Sequence, residues 1–324
     1  MNRIFEIFWS VLKFSLLLSI IYINIILIIN TSNKFIIPIA YATDNGYTIP
    51  TLVSITSLLE SIKFNETFYD IYIMISKNFT KDNKIMLKSL KRHYPLQCKV
   101  HFINMSDLFI EQKKSPTSMF YRLALPDNLT QIDKIIYLDG DTMVFDDLTE
   151  LYNINMTDNY ILGFLDSLVN ALQKYGIKDG VVLNSGVLLM DLKGLRNFNA
   201  TTKFKQFMQS QDNNVDQDDQ TTINYVLQGH LHSLPPKYGI WGFTQYGHAI
   251  FHNNVQRHWL KYNETELKEA FEHPAILHYT AGKPFKDNDA PYNETWWNHA
   301  NKTGYYEIIS NYSFNKRFKP NPQL

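Results

Sequence analysis

Cys98 is the only cysteine in 324 residues, so no intrachain disulfide can form and no cysteine-based metal site exists. Neither sign of charge is in excess: 31 Lys and Arg balance 31 Asp and Glu. No Lys/Arg-rich run interrupts that balance, which leaves no electrostatic footprint for nucleic acid. Internal repeats and low-complexity linkers are also missing. What is present is ample apolar material, 45% of the chain with 20 Tyr and 21 Phe, enough for one large core or two modest ones.

The one long apolar stretch lies at the start. From Phe14 to Ile29 there is no charge, and extension back to Ile7 gives a helix long enough to span a bilayer, with Lys13 snorkelling. No small-residue cleavage site follows, since Ile29-Asn30-Thr31-Ser32 is a poor match. The expectation is an uncleaved signal anchor over residues 1–33 in a single-pass type II membrane protein; a cleaved signal peptide is the competitor. Asn-x-Ser/Thr sequons begin at Asn30, Asn65, Asn78, Asn104, Asn128, Asn155, Asn199, Asn263, Asn293, Asn301 and Asn311. Composition alone predicts roughly three or four. The excess points to a glycoprotein with its catalytic domain in the Golgi or endoplasmic-reticulum lumen. An Asn-rich composition in a bacterial envelope protein is the alternative.

Beyond the anchor, apolar runs and amphipathic stretches alternate. Strands are expected at Phe35 to Ala42, Tyr69 to Ile75, Lys99 to Ile103, 134–139, Tyr160 to Asp166, Val187 to Leu192 and Ala275 to Leu277. Helices are expected at Pro50 to Ile62, from a Thr80 cap to His93, at 118–126, Thr202 to Gln211 and Gln220 to Leu227. This βαβ spacing predicts an α/β fold with a doubly wound, parallel sheet. Residues 34–286 would form the catalytic domain, and 287–324 a polar, aromatic tail.

Ile135-Ile136-Tyr137-Leu138-Asp139-Gly140-Asp141 concentrates the chemistry. A buried strand surfaces in two carboxylates, at the end where an open α/β sheet presents its ligand crevice. Gly140 lets the chain turn so that both can reach one hard divalent cation, Mg²⁺ or Mn²⁺, bridging a nucleotide diphosphate. A bare acidic turn capping a strand is the plainer reading of those three residues.

Four further segments change the balance: Ala40-Tyr41-Ala42-Thr43-Asp44-Asn45-Gly46-Tyr47, Met119-Phe120-Tyr121-Arg122-Leu123, Leu183-Asn184-Ser185-Gly186-Val187, and His278-Tyr279-Thr280-Ala281-Gly282-Lys283-Pro284. With the Asp pair and in this order, they resemble the family-8 glycosyltransferases. These are retaining enzymes that include lipopolysaccharide galactosyl- and glucosyltransferases and glycogenin. The resemblance runs from about Ile36 to Lys286. It implies a GT-A-type, Rossmann-like fold with a mixed, mostly parallel central sheet, and hexose transfer from a UDP-sugar to a glycan, glycolipid or glycoprotein.

The resemblance also implies roles. Asp139, Asp141 and His278 would hold Mn²⁺ or Mg²⁺. Asp44 and Tyr47 would meet the uridine, and Arg122, Asn184, Ser185 and Asp219 the donor. Gly140 would lie against the nucleotide, and Gly282 and Lys283 would meet the β-phosphate. Asp219-Gln220 followed by Asn224 fits the family's spacing, whereas Asp216-Gln217 does not, so Asp219 and Gln220 are the expected catalytic pair. Asp166 matches an acidic, sugar-touching position. Gly46 and Phe285 depart from the family's usual polar residue and Trp. Two other functions share the Asp pair: a metal-dependent nucleotidyltransferase or phosphohydrolase, and a non-catalytic carbohydrate-binding relative. The absence of Lys or Arg in Asp44-Asn45-Gly46 argues against a triphosphate loop.

Overall fold

The computed structural model describes residues 9, 12–19, 34–64, 66–105, 108, 117–166, 176, 181–210, 218–241, 262–280 and 282–312. Among the described residues, ten strands build two sheets. The first has seven strands: β1 (Phe35–Ala42), β2 (Thr67–Ile75), β3 (Cys98–Asn104), β4 (Lys134–Asp139), β6 (Ile161–Leu165), β7 (Leu183–Asp191) and β8 (Leu231–Ser233). Their spatial order is β3-β2-β1-β4-β7-β6-β8. The pairs β1–β2, β2–β3, β1–β4 and β6–β8 are parallel, while β7 runs antiparallel to both β4 and β6. The sheet is therefore mixed and mostly parallel. A small second sheet joins β5 (Thr142–Val144), β10 (Ile276–His278) and β9 (Tyr238–Trp241).

Successive residues of a strand face opposite sides, so a sheet covered on both faces needs apolar residues at every position. In β4, Ile136 and Leu138 enter one core cluster, and Ile135 and Tyr137 enter the other. The Thr48–Glu60 helix lies in the first cluster and buries every residue but Glu60. Two of its hydroxyls are satisfied within the helix: Thr56 Oγ1 donates to the Leu52 carbonyl and Ser57 Oγ to that of Ser54. The Lys81–His93 helix starts at Thr80, whose side chain accepts from the Asn83 N–H.

Several elements differ from the sequence expectation. The 118–126 segment is a 3-10 helix, Thr117–Ala124, running into a short turn of α-helix, Leu125–Asn128. Strand β7 begins at Leu183 and carries Asn184-Ser185-Gly186 within it, and His278 closes β10 rather than following it. After residue 286, the Asn293–Lys302 helix buries Trp296 and Trp297.

Among the described residues, no helix is long and apolar enough to cross a membrane. Of the expected anchor, only Trp9 and residues 12–19 are described; 12–19 are helical, with Leu12, Phe14, Leu16, Leu17 and Leu18 exposed. The rest of 1–33, like the Asp216-Gln217 alternative, lies outside the described residues. The transmembrane helix expected from the sequence is therefore not found among the described residues.

Candidate active site

At the C-terminal ends of β1 and β4 opens a cleft of about 410 Å³. Asp139 ends β4 opposite Ala42 of β1. It shares a strand face with Tyr137, whose hydroxyl donates to Asp139 Oδ1 at 2.8 Å. The same oxygen accepts from Arg122 Nη2 at 2.7 Å. The chain then turns at Gly140, which sits so close to Thr51 that a side chain would collide with the Thr51 hydroxyl. That turn delivers Asp141 to a different set of partners. Its Oδ2 accepts from the Tyr47 hydroxyl at 2.7 Å and from Lys283 Nζ.

His278 reaches the same point from the second sheet. It pairs with Thr142 across β10 and β5, and the Tyr279 N–H donates to the Asp141 carbonyl at 3.0 Å. Its Nε2 lies 3.3 Å from Asp141 Oδ1 and 3.6 Å from Asp139 Oδ2. Ligand atoms of Asp139, Asp141 and His278 all lie within 4.8 Å of one another. Gly186 makes room beside them, since a Cβ there would stand 2.7 Å from Asp139 Oδ2 and 2.6 Å from His278 Nδ1. Two carboxylate oxygens and an imidazole nitrogen form a donor set that fits Mn²⁺ or Mg²⁺. The charge balance agrees: among the described residues, Asp44, Asp139, Asp141, Asp218 and Asp219 line the cleft against Arg122 and Lys283.

Electrostatics sharpen the assignment. Burial would raise the Asp141 pKa, but Lys283 and His278 outweigh it and hold the carboxyl well below the usual carboxylate range. Burial likewise works against the Arg122 charge, and Asp139 and Asp219 overcome it. Arg122 stacks 4.3 Å from the Tyr137 ring centroid and donates through Nε to the Met119 carbonyl at 3.0 Å. Asp219 Oδ2 lies 3.0 Å from that Nε but off the N–H line, so the pair attracts while Oδ2 accepts no hydrogen bond among the described residues. Burial pushes Asp219 up to about 6, against the pull of Arg122.

Asp218 caps the Asp219–Val226 helix by accepting from the Thr221 N–H, which turns Asp219 and Gln220 toward the cleft. Gln220 Nε2 donates to Asp166 Oδ2 at 2.9 Å, and its Oε1 accepts from Asn184 Nδ2 and the Ser185 N–H. Asp44 accepts the Tyr47 N–H at 2.9 Å. Of the expected residues, Asp44, Tyr47, Arg122, Asp139, Gly140, Asp141, Asn184, Ser185, Asp219, Gln220, His278 and Lys283 line the cleft. Gly282 and Asp166 do not; Gly282 packs beside Asp287, and Asp166 sits behind Gln220. Ser118, Met119, Asp218 and Thr280 also line it and have no role assigned from sequence. Tyr137 had a signal, its position two residues before Asp139 on one strand.

A family model described as glycosyl transferase family 8 matches residues 38–289. General stress protein A of Bacillus subtilis is 25% identical over 248 residues, 72% of this chain and 83% of that protein. Glycosyltransferase GlyE of Streptococcus pneumoniae is 29% identical over 208 residues, 62% of this chain and 45% of that one. A lipopolysaccharide 1,2-glucosyltransferase of Escherichia coli is 26% identical over 213 residues, 62% of this chain and 61% of its own. Among solved structures, galactosyltransferase LgtC with donor and acceptor sugar analogs aligns with a TM-score of 0.67 at 20% identity, over 82% of this chain and 96% of that one.

Proposed function

The chain belongs to glycosyltransferase family 8, and from that premise we propose that it transfers a hexose, glucose or galactose, from a UDP-sugar to a glycan, glycolipid or glycoprotein with retention of anomeric configuration. The observation that supports this most is the convergence of Asp139, Asp141 and His278 in an acidic cleft of sugar-nucleotide size. A divalent cation held there would neutralise the diphosphate as a Lewis acid. Asp44 and Tyr47 bind the uridine. Lys283 meets the β-phosphate, where negative charge grows as UDP departs. Arg122, Asn184, Ser185 and Asp219 hold the donor sugar.

Gln220 lies beside the anomeric carbon. A carboxamide is a poor nucleophile, and both its polar atoms are already engaged by Asp166, Asn184 and Ser185. The acceptor hydroxyl therefore attacks from the face the phosphate leaves, and that phosphate takes the proton. A trapped glycosyl adduct on Asp219 or Gln220 would overturn this route.

Residues 1–33 tether the enzyme to a membrane, as the exposed Leu12, Phe14 and Leu16 support. Bacterial relatives favour a cell envelope over the Golgi or endoplasmic reticulum. The sequon asparagines Asn78, Asn104, Asn128, Asn155, Asn199, Asn263, Asn301 and Asn311 are exposed, and Asn293 is half-buried. A mobility shift on deglycosylation would restore the lumenal placement.

The decisive experiment is a UDP-release screen across donor sugars with protein lacking residues 1–33, with and without Mn²⁺. Asp139→Ala and Asp141→Ala should each abolish turnover in a protein that still folds. Normal turnover in either variant, or in saturating chelator, rules out the metal role.

A further inference from the structure

A chain of hydrogen bonds runs from the candidate metal site to Gln220, and the backbone donors in it fix which way each amide faces. Asn184 is buried, and its Oδ1 lies 2.9 Å from the Gly186 backbone nitrogen. A backbone N–H can only donate, so the atom facing it must be the amide oxygen. That oxygen also lies 3.0 Å from His278 Nδ1. An oxygen can only accept there, so Nδ1 carries the proton, and in the neutral ring Nε2 keeps its lone pair. Nε2 is the atom facing Asp139 and Asp141.

The other end of Asn184 is equally fixed. Its Nδ2 is 3.2 Å from Gln220 Oε1 and 3.5 Å from Asp166 Oδ2. Gln220 Oε1 also accepts the Ser185 N–H at 3.3 Å, which confirms that the oxygen faces this way. Gln220 Nε2 then points to Asp166 Oδ2 at 2.9 Å.

We propose that Asn184 is a positioning residue that sets the His278 tautomer for cation binding and, through its amide nitrogen, holds Gln220 in place. This rests on the metal reading of the site. Partners of the remote imidazole nitrogen govern ligand orientation and basicity in metal sites generally.

Three variants test it. Asn184→Ala removes both contacts. In metal-free protein, a two-bond proton–nitrogen correlation spectrum of labelled histidine, assigned with His278→Gln, should show the His278 proton leaving Nδ1. Mn²⁺ affinity by calorimetry should fall about 10–100-fold. Asn184→Asp keeps an acceptor for Nδ1 but places a carboxylate against Asp166 and Gln220. It should hold the Nδ1 proton and bind Mn²⁺ nearly as the wild type does, yet lose turnover by on the order of a hundredfold. Wild-type tautomer and affinity in Asn184→Ala would overturn the proposal. If Asn184→Ala does not fold, Asn184→Asp decides alone: loss of the Nδ1 proton, loss of Mn²⁺ binding, or full turnover overturns it. A wild-type protein that binds neither Mn²⁺ nor UDP would instead sink the functional reading, and the metal-free spectrum still judges the tautomer.

Discussion

Two residues show how much depends on single atoms. Gly186 has no side chain where a Cβ would crowd both His278 and Asp139. Gly186→Ala should weaken Mn²⁺ binding by about tenfold or more, on the scale of other disturbances to metal-ligand geometry. A Mn²⁺ titration of the folded variant checks this, and wild-type affinity would show that the ligands give way cheaply. Asp219 offers a pH test. An unperturbed Asp titrates near pH ~4, whereas here burial raises the group to about 6. The folded protein thus binds this proton more tightly than the unfolded chain, so its contribution to stability falls as pH rises from about 4 to 6 and stays lost above. In ligand-free protein, Asp219→Asn should therefore unfold at higher temperature than the wild type at pH ~7, with the gap closing toward pH ~4. A pH-independent gap would place the origin elsewhere.

At the scale of elements, legibility followed burial pattern. Strands β1 and β4 read clearly because both faces are covered and nearly every residue is apolar. Asp139 and Asp141 stood out because charge ends that run. The start of β7 was hidden, since Asn184-Ser185-Gly186 is a polar break in sequence that the fold uses as strand, aimed at the cleft. Strand β5, only three residues long, has too few positions to show a period. The antiparallel placement of β7 is a tertiary choice with no local signature. Nor could sequence reveal how the Thr48–Glu60 helix braces the Asp139 turn. Tyr41 Oη meets Ser54 Oγ at 3.2 Å, Ser54 Oγ meets Thr142 Oγ1 at 2.8 Å, and Thr142 Oγ1 donates to the Asp139 carbonyl at 2.8 Å. Ser54→Ala takes a partner from the buried Tyr41 hydroxyl, while Thr142 keeps its bond to the Asp139 carbonyl, and should cost about 1–3 kcal/mol in urea unfolding. A negligible change would mean the neighbours find other partners.

Across the whole molecule, the C-terminal region supports the cleft from behind. Trp296 is fully buried and packs 5.6 Å from Phe285, which in turn meets Tyr47 edge-on. Trp296→Ala should cost about 3–5 kcal/mol in urea unfolding, and it should weaken UDP binding through Phe285 and the adjoining Lys283. Unchanged UDP affinity would confine the tryptophan to a packing role. The pairing of β10 with β5 carries a wider consequence. Because His278 zips opposite Thr142, its distance from the carboxylates is measured across a ladder and not along the chain. The loops of the long excursion between those two short strands can change length, provided β6, β7 and the Asp219–Val226 helix keep their places and the ends re-pair in the same frame. A lineage could thus explore new acceptors at those loops while the ladder holds His278 beside Asp139 and Asp141, whereas a single-residue indel beside β5 or β10 would shift the imidazole away from them.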